Sequence, residues 1–108
     1  MKNNFVNHQF TSNGEVILDI RGFERIQLNV IANDILNDGY VQIDYSQEFN
    51  TPINWIQWQA DVDTTDGYTI HTFKEADLCI NWLKIETFDM AGSTDGYTID
   101  IIASGRGV

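Results

Sequence analysis

Basic residues are scarce in this chain. Six Lys and Arg stand against 16 Asp and Glu in 108 residues, a formal net charge of −10. Binding to a phosphate backbone rests on Lys and Arg displacing condensed counterions. The charge balance therefore argues against nucleic acid and anionic membrane surfaces as partners, and favours a basic protein surface or a divalent cation. Cysteine is rarer still. Cys79, in "LCINWL", is the only one; it cannot form an internal disulfide and reads as a small core residue of a protein suited to a reducing compartment. No apolar run approaches the roughly 18 residues that a membrane-spanning helix needs. The opening "MKNNFVNHQF" has one Lys and no apolar centre, so it does not read as a secretory signal.

Motifs for chemistry are equally sparse. His8 and His71 are far apart and lack further Cys or His at metal-ligand spacing. Ser12, Ser46, Ser93 and Ser104 lie in no Gly-x-Ser-x-Gly context, and the terminal "SGRGV" is not a phosphate-binding loop. The residues point away from an enzyme.

What the chain does have is alternation and repetition. It is 43% hydrophobic, with six Phe, four Tyr and three Trp, enough for one domain with one core and too much for a disordered chain. Asp-Gly-Tyr occurs at 38–40, 66–68 and 95–97, and Ile-Asn-Trp at 53–55 and 80–82. Each Asp-Gly-Tyr lies between two apolar runs of period two, the pattern of half-buried strands. Ile26, Leu28, Val30 and Ala32 share one face of their run; Val41, Ile43 and Tyr45 share one face of the next; Tyr97, Ile99, Ile101 and Ala103 share one face of the last. Asp-Gly supplies a positive φ where a chain re-enters an antiparallel strand, so each repeat is expected to be a β-hairpin.

Seven main strands are predicted, over 15–20, 23–32, 39–46, 53–60, 67–73, 78–88 and 96–103. In the sixth, Leu78, Ile80 and Trp82 are out of phase with Leu83 and Ile85, which predicts a bulge near Trp82 or a strand buried on both faces. The fold class is all-β: a two-sheet antiparallel β-sandwich, jelly-roll or immunoglobulin-like, of about seven to eight strands. Residues 1–14 form an N-terminal arm or short strand, 15–104 the sandwich, and 105–108 a flexible tail.

Three groups are candidate binding residues. If the hairpins stack in one sense, Asp34, Asp38, Asp61, Asp63, Asp66, Asp89 and Asp95 gather at one pole. Of these, Asp61, Asp63, Asp66 and Asp95 are the candidate Ca²⁺ ligands, although "DVDTTDG" has its glycine one place late for a calcium loop and Asp is common in turns anyway. Trp58, with Tyr40 or Tyr68, could form an exposed platform for a sugar ring; the alternative is that Trp55 and Trp82 plug the core while Trp58 shields an edge or meets a neighbouring subunit. Phe5, Val6 and Phe10 would anchor the N-terminal arm on a partner; on that reading, removal of residues 1–12 leaves the sandwich folded.

The order "EVILDI", "RGFERIQLNVIA", "VQIDYSQEFNTPINW", "DGYTIHTF", "NWLKIETF" and a last strand after Asp-Gly resembles small β-sandwich virion proteins of tailed bacteriophages, over about residues 15 to 104. The chain departs from their pattern before Trp55, where "SQEFNTPIN" lacks the usual Asp-Gly turn. The resemblance implies a non-enzymatic virion component, made in the host cytoplasm. It would be a capsid auxiliary (decoration) protein or the base of a head fibre, docked on the major capsid protein or other virion proteins, and such proteins often form homotrimers. A carbohydrate-binding module and a tail or connector component are the alternatives.

Overall fold

The computed structural model describes residues 2–35, 39–64, 67–75, 80–89 and 97–107, with the side chains of 2–4, 24, 67, 75, 106 and 107 left aside. Eight strands account for most of them: β1 (Lys2–Phe10), β2 (Glu15–Asp19), β3 (Phe23–Ile35), β4 (Tyr40–Ser46), β5 (Ile56–Asp63), β6 (Gly67–Glu75), β7 (Trp82–Phe88) and β8 (Thr98–Gly107). They form two four-stranded antiparallel sheets, sheet A in the order β1-β8-β3-β6 and sheet B in the order β2-β7-β4-β5. This is the connectivity of a jelly roll, a closed pair of Greek keys.

The core is the set of inward positions that period two dictates. Sheet A contributes Phe10, Ile26, Leu28, Val30, Ala32, Ile35, Ile99, Ile101 and Ala103; sheet B contributes Leu18, Val41, Ile43, Val62, Leu83 and Ile85. Burying these side chains is the main stabilising term, on the order of 1.5–3 kcal/mol for each large one.

The structure departs from several expectations. Within the ladders, β4 and β5 are the one consecutive pair that is hydrogen-bonded. The connections that carry Asp-Gly-Tyr join β3 to β4, β5 to β6 and β7 to β8, so each passes from one sheet to the other. The repeats are crossovers rather than hairpins. Period two says which residues of a strand face the core; a short turn can satisfy it within a sheet or across the core.

Of the two alternatives for the N-terminal segment, arm or short strand, it is the strand. β1 pairs with β8 from Lys2↔Gly107 to Phe10↔Ile99. The same ladder removes the expected tail, because Gly105, Arg106 and Gly107 are paired on both sides, to β1 and to β3. Gly105 is required there: a Cβ at this position would run into the backbone carbonyl of Arg25, where β3 shifts register. Finally, the phase change near Trp82 is not a bulge within a strand. β7 starts at Trp82 and alternates strictly to Phe88. The buried Ile80 and the half-buried Asn81 precede it, and Asn81 bridges two elements, its N–H donating to Ser46 O and its carbonyl accepting from Ile20 N. Leu78 and Cys79 lie outside the described residues.

The strand ends that flank all three Asp-Gly motifs lie at one pole: Ile35 pairs with Gly67, Asn33 with Thr98, and Tyr40 with both Asp63 and Phe88. Two buried threonines tie this pole together. Thr64 gives both its N–H and its hydroxyl to Gly39 O, and Thr87 exchanges hydrogen bonds with the backbone of Gly14. Among the described residues, positive φ falls on Gly22 and on three aspartates, Asp34 (63°), Asp61 (55°) and Asp89 (53°). Each aspartate stands at the start of an Asp-Gly crossover, and Asp is among the few residues that tolerate this conformation.

Candidate functional site

Alternation along β1 separates the three predicted anchors. Odd positions point outward and even ones inward, so Phe5 is 68% exposed while Phe10 is 5% exposed and belongs to the core. Val6 packs against the same core. Phe10, with the His8 ring set edge-on at 4.6 Å, is therefore an internal anchor that holds β1 onto the sandwich. Of the three, Phe5 alone offers its side chain to a partner.

Phe5 stands on the outer face of sheet A, whose rows follow from the registers. Gln9, Asp100, Ile31 and Ile70 form one row, and Asn7, Ile102, Asn29 and Thr72 the next. Gln9 Nε2 donates to Asp100 Oδ1 at 2.7 Å, and the Thr72 hydroxyl to Asn29 Oδ1 at 2.9 Å. Ile70 is 55% and Tyr68 59% exposed. Between β1, β8 and β3 lies a shallow cleft of about 310 Å³ lined by Asn7, Gln9, Ile31, Asp100 and Ile102. The face thus combines isoleucine and aromatic surface with the amides of Asn7, Gln9 and Asn29 and one carboxylate, Asp100.

The outer face of sheet B is finished differently. Arg21 chelates Asp19, with Nη2 2.7 Å and Nε 2.9 Å from its carboxylate oxygens, and gives a third bond to Phe49 O. Its guanidinium lies 4.5 Å from the Trp82 ring centre and 5.6 Å from that of Phe49. Lys84 lies 4.8 Å from the Trp55 ring centre and 3.7 Å from Asp44. The connection from β4 to β5 folds onto this face around Glu48. One carboxylate oxygen of Glu48 accepts from Asn54 N at 2.6 Å, Ile53 N at 2.7 Å and Ser46 Oγ at 3.2 Å.

These contacts shift two carboxyls. The backbone N–H groups of Asn54 and then Ile53 hold Glu48 below the usual glutamate range. The Arg21 side chain holds Asp19 below the usual aspartate range, against a smaller opposing effect of burial. Sequence reading missed both; the only local hints were acid-x-base in "DIR" and Ser-x-Glu in "SQE".

The tryptophans reverse their expected roles. Trp58 packs against the core, 6.2 Å from the Phe73 ring, and Tyr40 stacks on Phe88 at 4.9 Å. Trp58 and Tyr40 therefore form no platform. Trp55 and Trp82, expected inside, lie outward beneath cations. Trp82 opens β7 on the face opposite buried Leu83, and Trp55 precedes β5 in the connection that folds over Lys84. As for the acidic pole, Asp61 and Asp63 are exposed on bulged β5, and Asp66 and Asp95 lie outside the described residues. Among the described residues no group of three or more His, Cys, Asp or Glu is arranged to hold a metal ion.

The class the fold defines is the eight-stranded jelly roll. No family model matches the chain, and no curated protein matches it. Among solved structures, it is similar to a chain from Bacillus endospore appendages, described as "a novel family of disulfide-linked pili", at 15% identity, covering 96% of this chain and 87% of that one, with a TM-score of 0.44. A likeness at that level carries no functional argument.

Proposed function

We propose that the chain is a non-enzymatic structural protein of a bacteriophage particle, a capsid auxiliary (decoration) subunit that docks on the major capsid shell by surface complementarity. The observation that carries this reading is the outer face of sheet A. Phe5, Tyr68 and Ile70 are exposed on the same face as Ile31 and Ile102, among Asn7, Gln9, Asn29 and Asp100. Exposed apolar surface of this kind is what a protein partner covers. The face sits on a sheet whose strands are fixed by a shared core, so little ordering entropy is lost on docking. The sequence resemblance to phage virion proteins supports the choice of shell, and the net charge of −10 favours a basic surface on it. A subunit that binds only the assembled shell stabilises it by mass action.

Jelly rolls also serve as lectins, but the glycan platform expected at Trp58 is not formed. Trp55, Trp82 and Phe49 each have a cation over one face, and Trp58 is turned to the core. The test is density-gradient purification of particles from cells carrying the gene, followed by mass spectrometry and cross-linking. The chain is expected to band with capsids and cross-link through Lys74, beside the sheet A face. Recovery only in the soluble fraction would overturn the proposal.

A further inference from the structure

Edge strands carry unpaired backbone N–H and C=O groups and pair with another chain unless they are short, bulged, charged or covered. The four edges of this sandwich are unequal. In sheet B, β2 has five residues and bears Glu15 and Asp19 with no base; β5 bears Asp61 and Asp63 with no base and is broken by two register shifts. In sheet A, β1 and β6 are nine residues long, and neither skips a residue in its pairing. β1 contains no acid, and β6 contains one, Glu75, beside Lys74. Among the described residues, no backbone hydrogen bond outside the ladders involves either strand. In a chain of net charge −10, these two edges are where copies can approach without setting acid against acid.

We infer that β6 of one copy pairs with β1 of a second, extending sheet A head to tail. Strand direction alternates across β1-β8-β3-β6, so a second copy in the same orientation presents β1 antiparallel to β6. A flush register sets Gly67 opposite Phe10 and Glu75 opposite Lys2 of the second copy. That register keeps face with face: outward Tyr68, Ile70 and Thr72 meet outward Gln9, Asn7 and Phe5, and inward His71 meets inward Val6. Such a contact is heterologous and closes into a ring or grows as a filament according to its rotation. The inference extends the capsid reading, because edge pairing would join the outer faces of sheet A into one continuous docking surface.

The test is light scattering on the full chain over a concentration series. The wild type is expected to gain mass with concentration, and Ile70→Lys to raise the dissociation constant at least about tenfold with an unchanged melting curve. Position 70 tolerates Lys in the monomer because it is exposed. In the flush register residue 70 faces Asn7, so adding Asn7→Glu to Ile70→Lys restores association. In a two-fold β6–β6 or β1–β1 contact these positions do not meet, and restoration fails. Thr72→Lys with Phe5→Glu is a second pair for the same purpose. A monomeric wild type, an oligomer indifferent to both Lys variants, or association that neither double variant restores would each overturn the inference. A monomer that still bands with capsids would overturn edge pairing alone, whereas an oligomer absent from particles would overturn the capsid reading alone.

Discussion

Sheet A and sheet B share one core and differ in how they meet solvent. Sheet B is partly covered on its outside, with Ile17, Phe49, Ile53 and Ile56 still exposed. A loop folds back on it around Glu48, two cations cover three aromatic rings, and the carboxylates of Asp19 and Asp44 are each paired. Sheet A leaves Ile31, Ile70, Tyr68 and Phe5 among amides, with two long edges. The same number of strands and the same inward alternation therefore support two differently finished outer faces, one crossed by ion pairs and cation–ring contacts and one by isoleucine and amides. A jelly roll does not need a pocket to be asymmetric; the polar side chains on its two outer faces suffice.

The sharpest way to break this comparison lies within β1. If Phe10 is a core residue and Phe5 a surface one, Phe10→Ala should cost about 3–5 kcal/mol in chemical denaturation. Equal and small effects at the two positions would return β1 to the status of an arm. Truncation of residues 1–12 should likewise unfold or severely weaken the domain, contrary to the expectation from sequence. Gly105→Ala comes next. It must push the Arg25 carbonyl out of the β3–β8 ladder, at about 1–3 kcal/mol, and a wild-type melting temperature would mean that β8 ends before Gly105.

Sheet B is tested by pH. The pKa of Glu48 is depressed in the folded protein, as is that of Asp19. The stability each adds is full above its unfolded pKa, near 4, and is lost as pH falls through the depressed folded value. Glu48→Gln should lower stability at neutral pH and flatten the acid side of the melting-temperature profile. An acid limb identical to wild type would show that the loop does not depend on that carboxylate. The smallest effect belongs to Phe5→Ala, within about 0.5 kcal/mol for an exposed site, although it should weaken partner binding if sheet A is the docking face.

Much of the fold was legible because β-structure writes its burial into alternation. The inward residues of β3, β4 and β8 follow directly from period two. Other features were not legible. Phe5, Val6 and Phe10 look equivalent in "NFVNHQF", and only the pairing of β1 with β8 assigns Phe10 to the core. Trp55 and Trp58 are three apart, which places them on opposite faces without saying which is inside. Arg21 and Phe49 are distant in sequence, so nothing local predicts that one guanidinium joins Asp19, Phe49 and Trp82.

The sequence by itself determined the class of structure: strands, their inward faces, and a net acidic charge. These are local properties, set by side-chain polarity at period two and by summed charge. The tertiary structure alone decided which sheet each strand joins, which edges stay open, and which aromatics are core. Those depend on hydrogen-bond partners far away in the chain, and alternation reads the same whichever partner is chosen.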